Sequence, residues 1–122
     1  MVPALAERIS RIHDPADAVR LIRRDVGLTE ADVATATGAD ARSVRRWVAA
    51  NGTRPTRHER QIDDLRSIVQ LLAETLTAEG VRQWLRARSR YLKGERPLDV
   101  LARGDYSRVH DAAEAFVEGY FV

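Results

Sequence analysis

There is no cysteine in the 122 residues, which excludes disulfides, iron–sulfur clusters and cysteine-built zinc sites. The histidines are His13, His58 and His110, and no two stand at His-x-His or His-x-x-x-His spacing, so no metal site is expected. No apolar run approaches the roughly 20 residues needed to cross a bilayer. Glu7, Arg8 and Arg11 interrupt the N-terminus before a secretory pattern can develop, so the expected location is the cytoplasm, with no membrane partner. Neither G-x-G-x-x-G nor G-x-x-x-x-G-K occurs, so no glycine loop cradles phosphate. Ser10, Ser43, Ser67, Ser89 and Ser107 lack a glycine-rich elbow, and the adjacent pairs His13-Asp14 and His110-Asp111 point away from each other on a helix. Neither a catalytic residue nor a cofactor is expected. Asn51-Gly52-Thr53 matches a glycosylation sequon but is read as a turn.

What is present is a folded composition, 44% hydrophobic and 31% charged. The length suits one domain, or two small modules sharing a core. Twenty basic residues against eighteen acidic leave a net charge of only +2, and Lys93 is the single lysine. The distribution says more than the sum. Residues 42–60 hold six arginines against one acid, and residues 82–96 hold five arginines and Lys93 against one acid. Residues 105–122 reverse the sign, with Asp105, Asp111, Glu114 and Glu118 against Arg108. Such an arrangement fits one face for a polyanion and one for a basic partner, or an ordinary solvated surface.

Glycine and proline fall between periodic stretches, and the whole chain reads as helix. Leu5, Ile9 and Ile12 follow Pro3; Asp14-Pro15 caps a helix carrying Val19, Ile22 and Val26 that Gly27 ends. Thr29 and Asp32 form a capping box for a short helix broken by Gly38, and Asp40 caps another reaching about Ala50. Thr56-x-x-Glu59 reads as a further capping box, opening the longest helix. Ile62, Leu65, Val69, Leu72 and Leu76 give that helix a coiled-coil-like seam, and Ile68 and Leu71 widen it, as expected of a core spine or a dimer interface. Helices follow from Thr77 with Val81, Trp84 and Leu85, from Pro97 with Leu98 and Leu101, and from a capping Asp105 with Val109, Ala113, Phe116 and Tyr120. Residues 86–96 read as a basic loop broken by Gly94, and no stretch alternates long enough for a strand.

The most specific local pattern is LTEADVATATGADARSVRRW, residues 28–47, the heart of a helix-turn-helix spanning 28–50. In that geometry Val33, Ala34, Val44 and Val48 face inward and lock the crossing. Arg42, Ser43, Arg45 and Arg46 face outward, where arginine suits guanine edges and phosphates. Arg54 and Arg57, with Arg60, lie just beyond and are placed to grip a nucleic-acid backbone. The same packing also serves as plain scaffold, and one small module binds DNA weakly at physiological salt, so specific binding requires a dimer.

The order of features in the second half resembles a known family. A helix-turn-helix ending in RSVRRW is followed by a leucine-rich helix, Trp84-Leu85, the run RYLKGERPLDVLARGDYSRV and a terminal GYFV. This is similar to the Xre/MbcA/ParS antitoxins, partners of RES-domain toxins, over residues 25–122. Leu92, Gly94, Pro97-Leu98-Asp99, Leu101, Gly104 and Val109 carry the most specific part. One departure is that Arg88-Ser89 stands where the family often carries Pro-Asn.

The resemblance implies an all-α fold: an N-terminal helical region over 1–55 with an Xre-like helix-turn-helix, a long central helix over 56–76, and a toxin-binding module over 77–122. It implies a non-catalytic inhibitor of a NAD-consuming RES-domain toxin, held by Lys93, Gly94, Arg96 and Pro97. It also implies that Glu118, Gly119, Tyr120, Phe121 and Val122 obstruct the toxin's NAD pocket. Gly119 can end the last helix in a left-handed conformation and release an aromatic arm, or Tyr120 and Phe121 can fold back on the core, since Tyr120 continues the Val109–Phe116 stripe. Operator DNA is a second expected partner, bound by a homodimer within a larger toxin–antitoxin complex. The competing reading is a stand-alone dimeric helix-turn-helix regulator.

Overall fold

A computed structural model describes residues 4–49, 51–52 and 54–119. They form eight α-helices, and a single isolated antiparallel bridge between Ser89 and Glu95 is the β-type pairing among the described residues. The chain is all-α, as its periodicity predicts.

The helix starts follow local chemistry. α1 spans Ala4–Ser10, α2 Pro15–Leu21, α3 Glu30–Thr37 and α4 Ala41–Val48. The Asp14, Thr29 and Asp40 side chains accept from the amides of Asp17 at 3.1 Å, Asp32 at 3.0 Å and Ser43 at 2.7 Å. Each satisfies a donor that the first helical turn leaves unpaired. At Thr29 the cap is reciprocal, its own amide donating to the Asp32 carboxylate at 3.0 Å.

α2 does not stop at Leu21 but runs on as a π-helical turn, Ile22–Val26, which Gly27 closes. Gly27 has φ 84°, and a Cβ there would stand 2.6 Å from the Arg82 guanidinium. The left-handed backbone favours glycine at this position, and any larger residue would also push the Arg82 guanidinium aside.

Three expectations about the helix ends are corrected. The capping box at Thr56 and Glu59 does not form: Thr56–His58 is a 3-10 turn, and α5, Glu59–Ala73, starts without a side-chain cap. Pro55 is buried and its carbonyl accepts from the His58 amide at 3.0 Å, which places Thr56 inside a tight turn rather than ahead of the helix. Leu76 lies beyond α5, in a turn where its amide donates to the Leu72 carbonyl at 2.8 Å. α6 spans Ala78–Arg86 with Thr77 capping, α7 Pro97–Ala102 and α8 Tyr106–Val117. Asp105 does not cap α8; its carboxylate faces Arg108 at 3.7 Å instead.

The spine reading of α5 holds. Ile62, Leu65, Ile68, Val69 and Leu72 are all buried, and α5 touches α1, α2, α3, α6, α7 and α8. These five side chains are therefore covered inside this chain, while Leu71 and Leu76 are half-buried. One cluster of buried side chains runs from Leu5 to Ala113, and α3 packs on both α4 and α7. Removing a side chain from such a core, as in Leu65→Ala, costs about 2–5 kcal/mol.

Candidate functional site

The two basic stretches take different structural forms. In the first, α3 and α4 are joined by Gly38-Ala39-Asp40, with Gly38 at φ 75°. Val33, Ala34, Val44 and Trp47 are buried and Val48 half-buried, the inward set expected of this crossing with Trp47 added. Arg42, Arg45 and Arg46 are exposed on the other face with Ser43 half-buried between them, and Arg54 and Arg57 are exposed beyond it. A groove of about 220 Å³ runs between Ser43, Arg46, Trp47 and the segment 54–58, and the Trp47 and His58 rings stand 5.4 Å apart.

Charge on this face is little compensated. Arg45 approaches Glu30 at 3.7 Å, while Arg42, Arg46, Arg54 and Arg57 have no ion pair among the described residues. The Asp40 carboxyl is held below its usual value first by the hydrogen bond from the Ser43 amide, with Arg46 and Arg42 adding to the effect. Behind the helix, the Arg20 guanidinium donates to the carbonyls of Trp47, Val48 and Ala49, each at 3.2 Å. It supplies partners and positive charge where the α4 carbonyls have none.

In the second stretch most of the cations are committed to the protein itself. Arg82 donates to the Val26 carbonyl at 3.1 Å, closing the π turn onto α6. Arg86 makes two hydrogen bonds to Asp32, joining α6 to the start of α3. Burial pushes the Asp32 carboxyl up, but the hydrogen bonds from the Thr29 amide and Arg86 outweigh it, and the net shift is downward. Arg96 forks onto Asp99 at 2.8 and 2.9 Å. Glu95 accepts from Arg103 at 2.8 Å and Arg108 at 3.4 Å, tying the loop to α7 and α8. Hydrogen bonding from Arg103 is the main cause that lowers its carboxyl.

Between α6 and α7 the chain forms a 3-10 turn at Arg90–Leu92, followed by Lys93 at φ 57° and Gly94 at φ 84°. Leu92 is fully buried and anchors this turn, while Lys93 and Gly94 are exposed at its tip. Pro97 is buried as the first residue of α7, so it sets the helix rather than presenting a surface. α8 packs beside the turn and ends in exposed Glu118 and Gly119, the latter at φ 78°. Tyr120, Phe121 and Val122 lie outside the described residues.

Among curated proteins, the chain is 44% identical over 96 residues to the probable mycobacterial cidal antitoxin Rv3188 of Mycobacterium tuberculosis, covering 79% of this chain and 82% of that protein. This chain belongs to the MbcA family of antitoxins. It is also 31% identical over 97 residues to the mycobacterial cidal antitoxin MbcA of Mycobacterium bovis, covering 80% of this chain and 86% of that one. Among solved structures it matches a chain of the M. tuberculosis MbcT–MbcA toxin–antitoxin complex with a TM-score of 0.75 and 30% identity, over 91% of this chain and 100% of that one. No family model matches the chain.

Two features of this MbcA-family chain escape sequence reasoning. The Asp32–Arg86 bridge joins residues 54 apart, and no local pattern signals it. The second is a groove of about 280 Å³ lined by Trp84, Ala87, Arg88, Ser89, Arg90 and Phe116. Trp84 and Phe116 read as core from their helical spacing, yet both are half-buried, with ring centroids 6.4 Å apart. His110, Asp111 and Glu114 also bring donor atoms within 4.8 Å on α8, an exposed cluster that no fourth donor joins among the described residues. No helix among the described residues is long and apolar enough to cross a membrane.

Proposed function

We propose that this antitoxin neutralises a NAD-consuming RES-domain toxin without catalysis of its own. It binds beside the toxin's NAD pocket and obstructs it with the segment from Glu118 to Val122. The observation that carries the reading is the likeness, over nearly the whole chain, to an antitoxin solved in complex with its toxin. The form of the C-terminal end supports it. α8 ends in a left-handed glycine, Gly119, three residues after Phe116, which lines a groove with Arg88, Ser89 and Arg90. Exposed Lys93 and Gly94 then meet the toxin near where the arm enters, and Arg96, fixed by Asp99, and Pro97 hold that tip in place. Tyr120 and Phe121 are anchors with little rotamer entropy to lose, and Glu118 supplies charge for cationic groups that otherwise hold the dinucleotide's phosphates.

The test is NAD consumption by the partner RES-domain toxin, followed with and without the purified antitoxin. Stoichiometric inhibition is expected; undiminished turnover with the antitoxin in excess contradicts the reading.

A second activity rests on a different observation, the exposed and little-compensated arginines of α4 and of the segment after it. Arg42, Ser43, Arg45 and Arg46 enter the major groove of operator DNA and Arg54 and Arg57 grip its backbone, with two copies of the chain supplying the phosphate contacts that one lacks. Retention of operator DNA by the antitoxin, alone and with toxin, tests this; a chain that inhibits toxin and ignores DNA at low salt rules it out. The reverse outcome, operator binding with no inhibition, favours a stand-alone regulator.

A further inference from the structure

We infer that the groove between Trp84 and Phe116 is a second contact with the toxin, receiving an apolar side chain that the toxin carries beside a carboxylate. The inference rests on the toxin-binding reading above and adds a seat lying outside the arm and the Lys93 tip. The walls are apolar, formed by the two rings and Ala87, and the rim is cationic, formed by Arg88 and Arg90. Arg88 uses one donor to hold the Gly94 carbonyl at 3.0 Å, and neither it nor Arg90 has an acid within ion-pair distance among the described residues. The nearby carboxylates are taken, Glu95 by Arg103 and Arg108 and Asp99 by Arg96. An acidic partner thus meets two guanidinium groups that no carboxylate among the described residues pairs with.

Tyr91, which follows Arg90 in sequence, is 50% exposed, the exposed large hydrophobic residue among those described. Tryptophan and arginine, which line this groove, are among the residue types that dominate binding energy at protein interfaces. Position points to the same occupant. Phe116 lies three residues before Gly119, so a toxin that receives the arm runs alongside the groove, and the two contacts are continuous.

The experiment compares toxin affinity for the full chain, Arg90→Glu and Trp84→Ala, with helical content checked by circular dichroism. Arg90 is exposed and has no partner among the described residues, so its reversal leaves the fold intact even if Trp84→Ala weakens packing. A loss of at least about tenfold is expected for Arg90→Glu, since a like-charge contact replaces an opposite one. Unchanged affinity of both folded variants overturns the inference while leaving the toxin-binding reading standing. Failure of the unaltered chain to bind overturns both. If the variants instead change only the chain's own oligomeric state, the groove belongs to a second copy. If their effect vanishes once Tyr120–Val122 are deleted, it belongs to the chain's own tail. Either result also overturns the inference.

Discussion

Residues 42–60 and 82–96 carry the same excess of positive charge, yet the two stretches differ in how it is used. In the first, arginines project from α4 and the following turn, and among the described residues Arg45 alone of them stands within ion-pair distance of a carboxylate. In the second, Arg82, Arg86 and Arg96 hold Val26, Asp32 and Asp99 in place, leaving Arg90 and Lys93 uncommitted. A run of basic residues therefore marks either an open surface or internal fastening. The deciding factor is whether acids and exposed carbonyls elsewhere in the fold come within reach. On the proposed reading, one stretch faces a polyanion and the other shapes a surface for a protein.

This contrast can be broken by experiment. The largest effect is expected from Arg42→Ala, Arg45→Ala and Arg46→Ala together. Retention of operator DNA should be lost. Folding stability should stay within about 0.5 kcal/mol per site, and toxin inhibition should be unchanged. A triple variant that melts well below the parent shows that these arginines are fasteners too.

Arg86→Ala should behave in the opposite way. It leaves DNA retention intact but removes both hydrogen bonds to Asp32, and lowers stability by about 1 kcal/mol after solvent screening at this half-exposed site. Thermal melting read beside DNA retention separates the two kinds of arginine.

The smallest expected effect concerns acid. The folded Asp32 carboxyl titrates below its unfolded value, so its contribution is present above the unfolded pKa and is lost as the pH falls through that value toward the folded one. Melting temperatures across the acid range should show this decline, and it should shrink in Arg86→Ala. An identical acid profile in the two proteins shows that Arg86 does not hold the Asp32 charge.

Much of the fold was legible because helix starts are local events. Asp14, Thr29, Asp40 and Thr77 cap where the sequence places them, since a side chain needs only the amide three residues on. Thr56 and Asp105 show the limit of the same rule. A buried Pro55 draws one into a 3-10 turn, and Arg108 draws the carboxylate of the other away, and both competitors act through packing or charge beyond the motif. The π turn at Ile22–Val26 left no local signal, because α2 carries the same apolar stripe through it.

The candidate site was legible in part. Exposure of Arg42, Arg45 and Arg46 followed from helical periodicity around buried Val44. The Trp84–Phe116 groove did not, because helical spacing assigns aromatic residues to a core, whereas these two lie half-open where α6 and α8 meet the 87–90 segment. Similarly, the commitment of Arg86 to Asp32 depends on α6 passing the start of α3, a consequence of the folded core rather than of either segment.

The central claim is that the end of α8 is the inhibitory end of the molecule. The most direct test is the inhibition constant against NAD turnover by the RES-domain toxin for the full chain and for a chain lacking Tyr120–Val122. Because the α5 core is untouched by the deletion, both proteins should show the same helical content. The account predicts that the shortened antitoxin still binds the toxin and inhibits it poorly. Equal inhibition by both chains contradicts it.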